Sequence, residues 1–172
     1  MDGRLAVLFG VMSLFGGNIE SDGFNMQRGD ISGNIVISSG ALRQRQQTIG
    51  SELRVSYAFV QKWGRFNPML DLSVTDEGGI WAGIGLYQQF DIEVGNSDLF
   101  VGLYFAPGFY AAGNDIDLGF PIEFRSGVEI GVRLRNDWQV SLSFDHRSNA
   151  DIVAVNPGVE TLQLRISTPF GN

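Results

Sequence analysis

The sequence predicts an all-β fold, an eight-stranded antiparallel up-and-down barrel of the outer-membrane type. Three observations lead to this prediction. Eight segments alternate apolar and polar residues with the two-residue period of a β-strand, and turn residues separate them. The polar face of the clearest segment carries charges and glycines, which suit a cramped interior. The number of segments is even, as in closed up-and-down barrels.

The predicted strands follow one another along residues 30–172, with no helical period between them. In chain order they are residues 30–39, 51–61, 65–74, 80–90, 98–109, 121–135, 138–148 and 158–170. Residues 1–29 are set apart as an N-terminal segment. Its apolar stretch 5–15 resembles the core of a secretory signal, and a plug or an additional strand is the alternative interpretation.

Segment 121–135 indicates what each face of the barrel wall contacts. Its apolar residues Ile122, Phe124, Val128, Ile130, Val132 and Leu134 alternate with Glu123, Arg125, Gly127, Glu129, Gly131, Arg133 and Arg135. Small and charged residues fit inside a narrow barrel, and the apolar face then meets lipid. A soluble lipocalin-like lipid carrier has the same period with the two faces exchanged, so it stays as the rival interpretation.

The links between the predicted strands alternate in length. Residues 62–64 and 136–137 are predicted as tight turns, and residues 40–50, 110–120 and 149–157 as longer links. In an outer-membrane barrel, the short turns face the periplasm and the long loops face outward. The sequence therefore places the end of strand 138–148 at the outer rim.

The composition argues against several classes of function. A net charge of −7 is opposite to the basic surface that binds nucleic acid, so no nucleic-acid partner is expected. The chain has no cysteine and a single histidine, which leaves neither a disulfide framework nor a thiolate or multi-histidine metal site. We therefore expect no metal, although a site built from oxygen ligands alone stays open.

Three polar residues interrupt the apolar face of the last two strands. Along strand 138–148 this face consists of Trp138, Val140, Leu142 and Phe144, followed by His146 and Ser148. If the chain turns back through the next loop, an antiparallel ladder sets His146 opposite Glu160, with Cβ atoms roughly 4.5–5.5 Å apart. Ser148 lies two residues along, about 6.6 Å away. Such a patch combines the nucleophile, the base and the orienting acid of acyl transfer.

Two motifs around this patch resemble the signature of the lipid A 3-O-deacylase family, the PagL-type acyloxyacyl hydrolases. Residues 146–150 are His-Arg-Ser-Asn-Ala, and residues 156–160 are Asn-Pro-Gly-Val-Glu. They match the family pattern of His-x-Ser-Asn-Ala followed by Asn-Pro-Gly-x-Glu in residue type and spacing. Residues 118–127, and residues 66–68 ahead of 76–79, also resemble proteobacterial members.

The resemblance implies an esterase of the bacterial outer membrane that removes the 3-O-linked 3-hydroxyacyl chain of lipid A. By position, Ser148 would be the nucleophile, His146 the general base and Glu160 the residue that orients His146. Asn156 would help to bind the oxyanion, and Asn149 is a further candidate. The triad would lie on the lipid-facing exterior of the barrel.

The partners implied are lipid A, or lipopolysaccharide, and the lipids of the outer membrane. The family implies no cofactor, and a homodimer stays open. A non-catalytic structural barrel of the outer membrane is the alternative function for the same fold.

Overall fold

A computed structural model describes residues 19–21, 24–29, 31, 33–95 and 97–170. The strands are β1 (Ile19–Ser21), β2 (Phe24–Arg28), β3 (Asn34–Gln44), β4 (Gln47–Ala58), β5 (Asn67–Thr75), β6 (Ile80–Val94), β7 (Ser97–Ala111), β8 (Ile122–Arg133), β9 (Gln139–Ser148) and β10 (Val159–Pro169). No helix in the described part of the chain is long and apolar enough to cross a membrane.

Strands β3 to β10 form a closed antiparallel barrel. Each pairs with the next along the chain, and β10 pairs with β3 from Glu160↔Arg43 to Pro169↔Asn34. Closure satisfies the backbone groups that an open sheet would leave at its edges. The predicted eight-stranded antiparallel barrel is confirmed, and each predicted strand overlaps one observed strand.

A short hairpin, β1 with β2, lies beside the barrel wall. Residues Phe24–Arg28 pair antiparallel with the part of β6 that extends beyond β5, from Val94 to Phe90. Residues 1–18, including the signal-like stretch 5–15, lie outside the described residues. The division into an N-terminal segment of residues 1–29 and a barrel of residues 30–172 stays a prediction.

The predicted long link at residues 40–50 is wrong. β3 extends to Gln44 and β4 begins at Gln47, so Arg45 and Gln46 alone make the turn. Their φ angles are 46° and 70°, the left-handed backbone of two-residue turns whose twist matches that of the strands. The turn itself is Arg-Gln and lacks the Asn-Gly or Asp-Gly pair that usually marks such a turn, so the sequence gives no local signal for a two-residue turn at this position.

The two ends of the barrel differ in their connections, although less regularly than predicted. One end, here called the loop end, carries the long loops 112–121 and 149–158 and the short turns at 45–46 and 76–79. The opposite end carries the links 59–66 and 134–138, and β6 ends there at Val94. The strict alternation of short and long links is therefore wrong, but the end of β9 does lie beside a long loop.

The barrel wall is polar inside and apolar outside. On β9, Leu142 is 55% exposed and faces outward, whereas its neighbour Ser143 is 1% exposed and faces the lumen. The same alternation leaves these apolar side chains exposed on other strands: Ile37, Leu53, Val55, Leu70, Leu72, Ile84, Ile130, Leu162, Leu164 and Ile166. An apolar outer wall of this kind fits a lipid environment. The lipocalin-like interpretation requires apolar residues inside the barrel and is therefore wrong.

Ion pairs and aromatic rings fill the lumen. Arg54 donates to Asp71 and Arg125 to Glu52, and Arg165 forms an ion pair with Glu129, all from buried positions. The guanidinium of Arg54 also lies 4.6 Å from the ring centroid of Tyr104, and that of Arg125 lies 4.6 Å from that of Trp81. Because each of these three arginines has a carboxylate partner, the desolvation cost of placing their charges inside is offset. This explains why a lipid-facing protein carries so many inward charges.

Candidate active site

His146 and Glu160 lie directly opposite each other on β9 and β10. The antiparallel ladder pairs His146 with Glu160 and Arg147 with Val159, and Ser148 is the last residue of β9. Facing residues in such a ladder have Cβ atoms roughly 4.5–5.5 Å apart. The predicted register of these two strands is confirmed.

All three polar residues belong to the outer face of the wall. Leu142 and Phe144 precede His146 and Ser148 on the outward side of β9, while Asp145 and Arg147 face the lumen. His146 and Ser148 are nevertheless only 9% and 8% exposed. Neighbouring side chains and the loop above therefore shield them, whereas lower positions on the same face are open.

Gly158 closes one side of this patch. Its φ of 59° lies in the left-handed region, where glycine is favoured. A Cβ atom added at Gly158 would lie 2.9 Å from Cε1 and 3.4 Å from Nε2 of His146. The backbone of Gly158 thus lies beside the edge of the imidazole that carries Nε2. The missing side chain leaves room for the ring.

Strand β8 supplies two further neighbours on the outer face. Ser126 pairs with His146, and Phe124 pairs with Ser148. Ser126 is 4% exposed although it faces outward. The imidazole therefore stands in one row between a small hydroxyl residue on β8 and a carboxylate on β10, with strand spacings of about 4.8 Å on each side.

The loop 149–158 holds the two predicted oxyanion residues. The Asn149 side-chain nitrogen donates to the backbone oxygens of Leu118 at 2.8 Å and Val155 at 2.7 Å. An amide nitrogen carries two hydrogens, so both are used within the loops. The backbone N–H of Asn149 also donates, to Oδ1 of Asn156 at 3.1 Å. In this structure, Asn149 holds the two loops together, and both hydrogens of its amide are already used there.

Asn156 keeps one side-chain hydrogen available. Its Nδ2 donates to Oδ1 of Asp151 at 2.8 Å, which leaves the second hydrogen of the amide. Ala150 and Asp151 both have positive φ, 53° and 60°. This turn sends the chain back so that Asp151 reaches Asn156. Asp151 therefore orients the amide of Asn156.

No group of three or more histidine, cysteine, aspartate or glutamate side chains within the described residues could hold a metal ion. The polar groups of the patch are one imidazole, two hydroxyls, one carboxylate and a loop amide. This set can transfer a proton and present a nucleophile to an ester.

The family model "Lipid A 3-O-deacylase (PagL)" matches residues 39–169, which is most of the chain. The chain belongs to this family. The matched range contains both motifs and every strand of the barrel except the start of β3. The resemblance seen in the sequence motifs is confirmed.

Solved structures show the same fold as this PagL-family chain. The outer membrane enzyme PagL has a TM-score of 0.66 at 18% sequence identity, over 80% of this chain and 99% of that one. Neisserial surface protein A has a TM-score of 0.53 at 10% identity, over 81% of this chain and 97% of that one. Both likenesses support the outer-membrane type of eight-stranded barrel. No curated protein sequence matches the chain.

Three neighbours of the patch were not predicted from the sequence. Ser126 lies in the predicted strand 121–135, and extending the ladder from strand 138–148 by one strand sets it opposite His146. Gly158 belongs to the Asn-Pro-Gly motif, and a glycine directly before a strand is a usable signal for positive φ. The contact between Asp151 and Asn156 depends on the path of the loop, and no sequence period reports it.

Proposed function

We propose that this chain is an outer-membrane esterase that hydrolyses the 3-O-linked 3-hydroxyacyl chain of lipid A. In this proposal Ser148 is the nucleophile, His146 the general base and Glu160 the acid that orients the imidazole. The observation that carries the proposal is the row on the outer wall in which His146 stands opposite Glu160 and next but one to Ser148. Family membership supports lipid A as the substrate.

The first half of the reaction forms an acyl-enzyme. His146 accepts the proton of the Ser148 hydroxyl while Oγ attacks the ester carbonyl carbon. The tetrahedral intermediate then collapses, the bond to the sugar 3-oxygen breaks, and the imidazolium protonates that oxygen. The Glu160 carboxylate stabilises the imidazolium and fixes the orientation of the ring.

The second half releases the fatty acid. His146 removes a proton from water, which attacks the acyl carbonyl and frees a 3-hydroxy fatty acid as Ser148 recovers its proton. The remaining hydrogen of the Asn156 amide is suited to donate to the oxyanion, and one such donor can lower the barrier by about 3 kcal/mol. Neither half of this reaction requires a metal or a cofactor.

The outward position of the patch suits a substrate that is itself a membrane lipid. Ser148 ends β9 at the loop end, above an apolar wall that includes Leu142 and Leu164. An ester just below the lipid headgroups reaches this height by lateral diffusion, with the acyl chain still among other chains. A site inside the polar lumen would require the chain to leave lipid.

Mass spectrometry of lipid A before and after exposure to the detergent-folded protein tests the proposal. We expect loss of one 3-hydroxyacyl group from the 3-position, with release of the free acid. Ser148→Ala should slow this release by about 10³-fold or more, because a triad without its nucleophile keeps only residual catalysis. Glu160→Gln should slow it less.

Ser143→Ala is the matched control. Ser143 lies on the same strand but faces the lumen, and its hydroxyl makes no hydrogen bond with the described residues. This variant should release the acid at the wild-type rate. Equal release by wild type and Ser148→Ala would remove Ser148 from the mechanism. A folded wild type that releases no acid would favour the non-catalytic structural barrel.

A further inference from the structure

We propose that Glu52, inside the lumen, is a positioning residue for the exterior patch. One carboxylate holds together, from within, the three strands that carry the patch on their outer faces. The inference rests on the proposed function, since it assigns Glu52 a role in placing Ser148 and His146.

Glu52 contacts one polar side chain on each of these three strands. Arg125 of β8 donates to its Oε1 in a buried ion pair. Arg147 of β9 donates to the same oxygen through Nη1 at 3.3 Å. Gln163 of β10 donates to Oε2 through Nε2 at 2.8 Å. Glu52 itself is 1% exposed, so these contacts are shielded from water.

These contacts cross the barrel. Glu52 lies on β4, and in the closed ring the strand opposite β4 is β8. Strands β9 and β10 follow β8 around the ring before β3 is reached. Within the ring of β3 to β10, the backbone ladder connects each strand only with its two neighbours, whereas Glu52 contacts side chains on β8, β9 and β10 directly. The cross-link is therefore independent of the hydrogen bonds within the wall.

The two arginine partners of Glu52 are adjacent in sequence to outward residues of the patch. Arg125 precedes Ser126, and Arg147 lies between His146 and Ser148. Successive side chains of a strand point to opposite faces, so a force on Arg147 inside moves its two neighbours outside. Catalytic groups must be held within about 0.5 Å of their productive positions. A fixed Arg147 limits such displacement.

The ion pairs indicate that the position of the Arg147 side chain depends on Glu52. Among the described residues, Glu52 is the one carboxylate within salt-bridge distance of Arg147, whose guanidinium also lies 4.5 Å from the Tyr110 ring centroid. Arg125 has a second carboxylate, Asp145, at 3.4 Å. Without the charge of Glu52, two buried guanidinium groups would repel each other. Arg147 would move more than Arg125 because it has lost its ion pair.

Glu52→Gln tests the role, with Glu129→Gln as the matched control. Glu129 is also a buried lumen carboxylate with an arginine partner, since Nε of Arg165 lies 2.9 Å from its Oε2 in an ion pair. It lies further from the loop end than Ser126 on β8. Three quantities are measured: kcat and KM for lipid A, the rate at which a fluorophosphonate labels Ser148, and the thermal unfolding of the barrel.

We expect Glu52→Gln to lower kcat and the labelling rate by about tenfold, because small displacements of reacting groups cost large factors in rate. KM should change by less than about twofold, since the lipid-facing surface is intact. Glu52→Asp should recover part of kcat because it keeps the charge. Glu129→Gln should lower thermal stability to a similar extent while kcat and labelling stay near the wild-type values.

Several results would overturn the proposal. Equal losses of kcat in Glu52→Gln and Glu129→Gln would show a general effect of stability, and a change confined to KM would contradict a positioning role. If Glu52→Gln does not fold, Gln163→Leu removes one neutral contact of Glu52 and should lower kcat by about threefold; an unchanged kcat would overturn the role. If the wild type does not hydrolyse lipid A but the fluorophosphonate labels its Ser148, the substrate assignment is wrong. The labelling rates of Glu52→Gln and Glu129→Gln then still decide the role of Glu52.

Discussion

At the scale of single residues, the geometry of the patch depends on the absence of a side chain at Gly158. Gly158 combines a left-handed backbone with close approach to the imidazole, so two different costs would accompany any substitution there. The backbone cost is about 1 kcal/mol for a non-glycine residue. The steric cost arises from contact with the His146 ring. A control glycine with the same backbone conformation but open space around it separates the backbone cost from the steric cost.

Gly158→Ala should lower the rate of lipid A deacylation by about tenfold or more, because its methyl group would displace the ring that accepts the proton. The control is Gly64→Ala, since Gly64 has a φ of 64° and open space where a Cβ would be. Initial rates and urea unfolding of both variants are compared. Both should lose similar stability, and Gly64→Ala should keep its rate. Equal rates in both variants would contradict a steric role for Gly158.

The residues of the patch were only partly accessible from the sequence. His146, Ser148 and Glu160 follow from alternation along two strands and a short loop between them, because a strand fixes the face of every second residue. The hydrogen bonds of Asn149 to Leu118 and Val155 were not predicted. Loop backbones have no period, so the direction of that amide was not determined by spacing.

At the scale of elements, each strand of the wall separates lipid from the lumen. On β10, Leu162, Leu164 and Ile166 are about half exposed, whereas Gln163 and Arg165 are buried. A shift of one residue in register would exchange the two sets and place Arg165 in lipid. The strong penalty against that shift is what holds Glu160 opposite His146.

Leu164→Arg should destabilise the barrel by about 2–4 kcal/mol, because Leu164 lies at the middle of β10 on the lipid-facing side. Ile152→Arg serves as control: Ile152 is similarly exposed but lies in the loop 149–158, where a charge should cost less than about 1 kcal/mol. Equilibrium unfolding by guanidinium in lipid vesicles measures both. A loss at Ile152 as large as that at Leu164 would contradict the assignment of the outer face of β10 to lipid.

At the scale of the whole molecule, the lumen is the core. The side chains that other proteins keep at their surface meet here inside a closed wall, and Arg54, Asp71, Tyr104 and Asp145 form one connected group. A buried pair of this kind adds little net stability, but breaking it is costly. The stability of the barrel therefore depends on keeping these lumen pairs intact.

Asp71→Ala should lower the free energy of unfolding by about 3 kcal/mol, because it leaves Arg54 buried without its nearest carboxylate. Asp91→Ala provides the comparison. Asp91 pairs with Arg133 at 2.9 Å, but their side chains are 18% and 29% exposed, so water replaces the partner and the loss should stay near or below about 1 kcal/mol. Equal losses in vesicle unfolding would show that burial does not govern these pairs.

The sequence by itself determined the strand period, the number of strands in the barrel and the pairing of His146 with Glu160. All of these follow from residues close together in the chain, whose faces the backbone fixes. Tertiary structure alone decided which side chains meet across the lumen. Glu52 and Gln163 are 111 positions apart, and they meet because the wall closes at a particular register between β10 and β3, a geometric condition on all eight strands together.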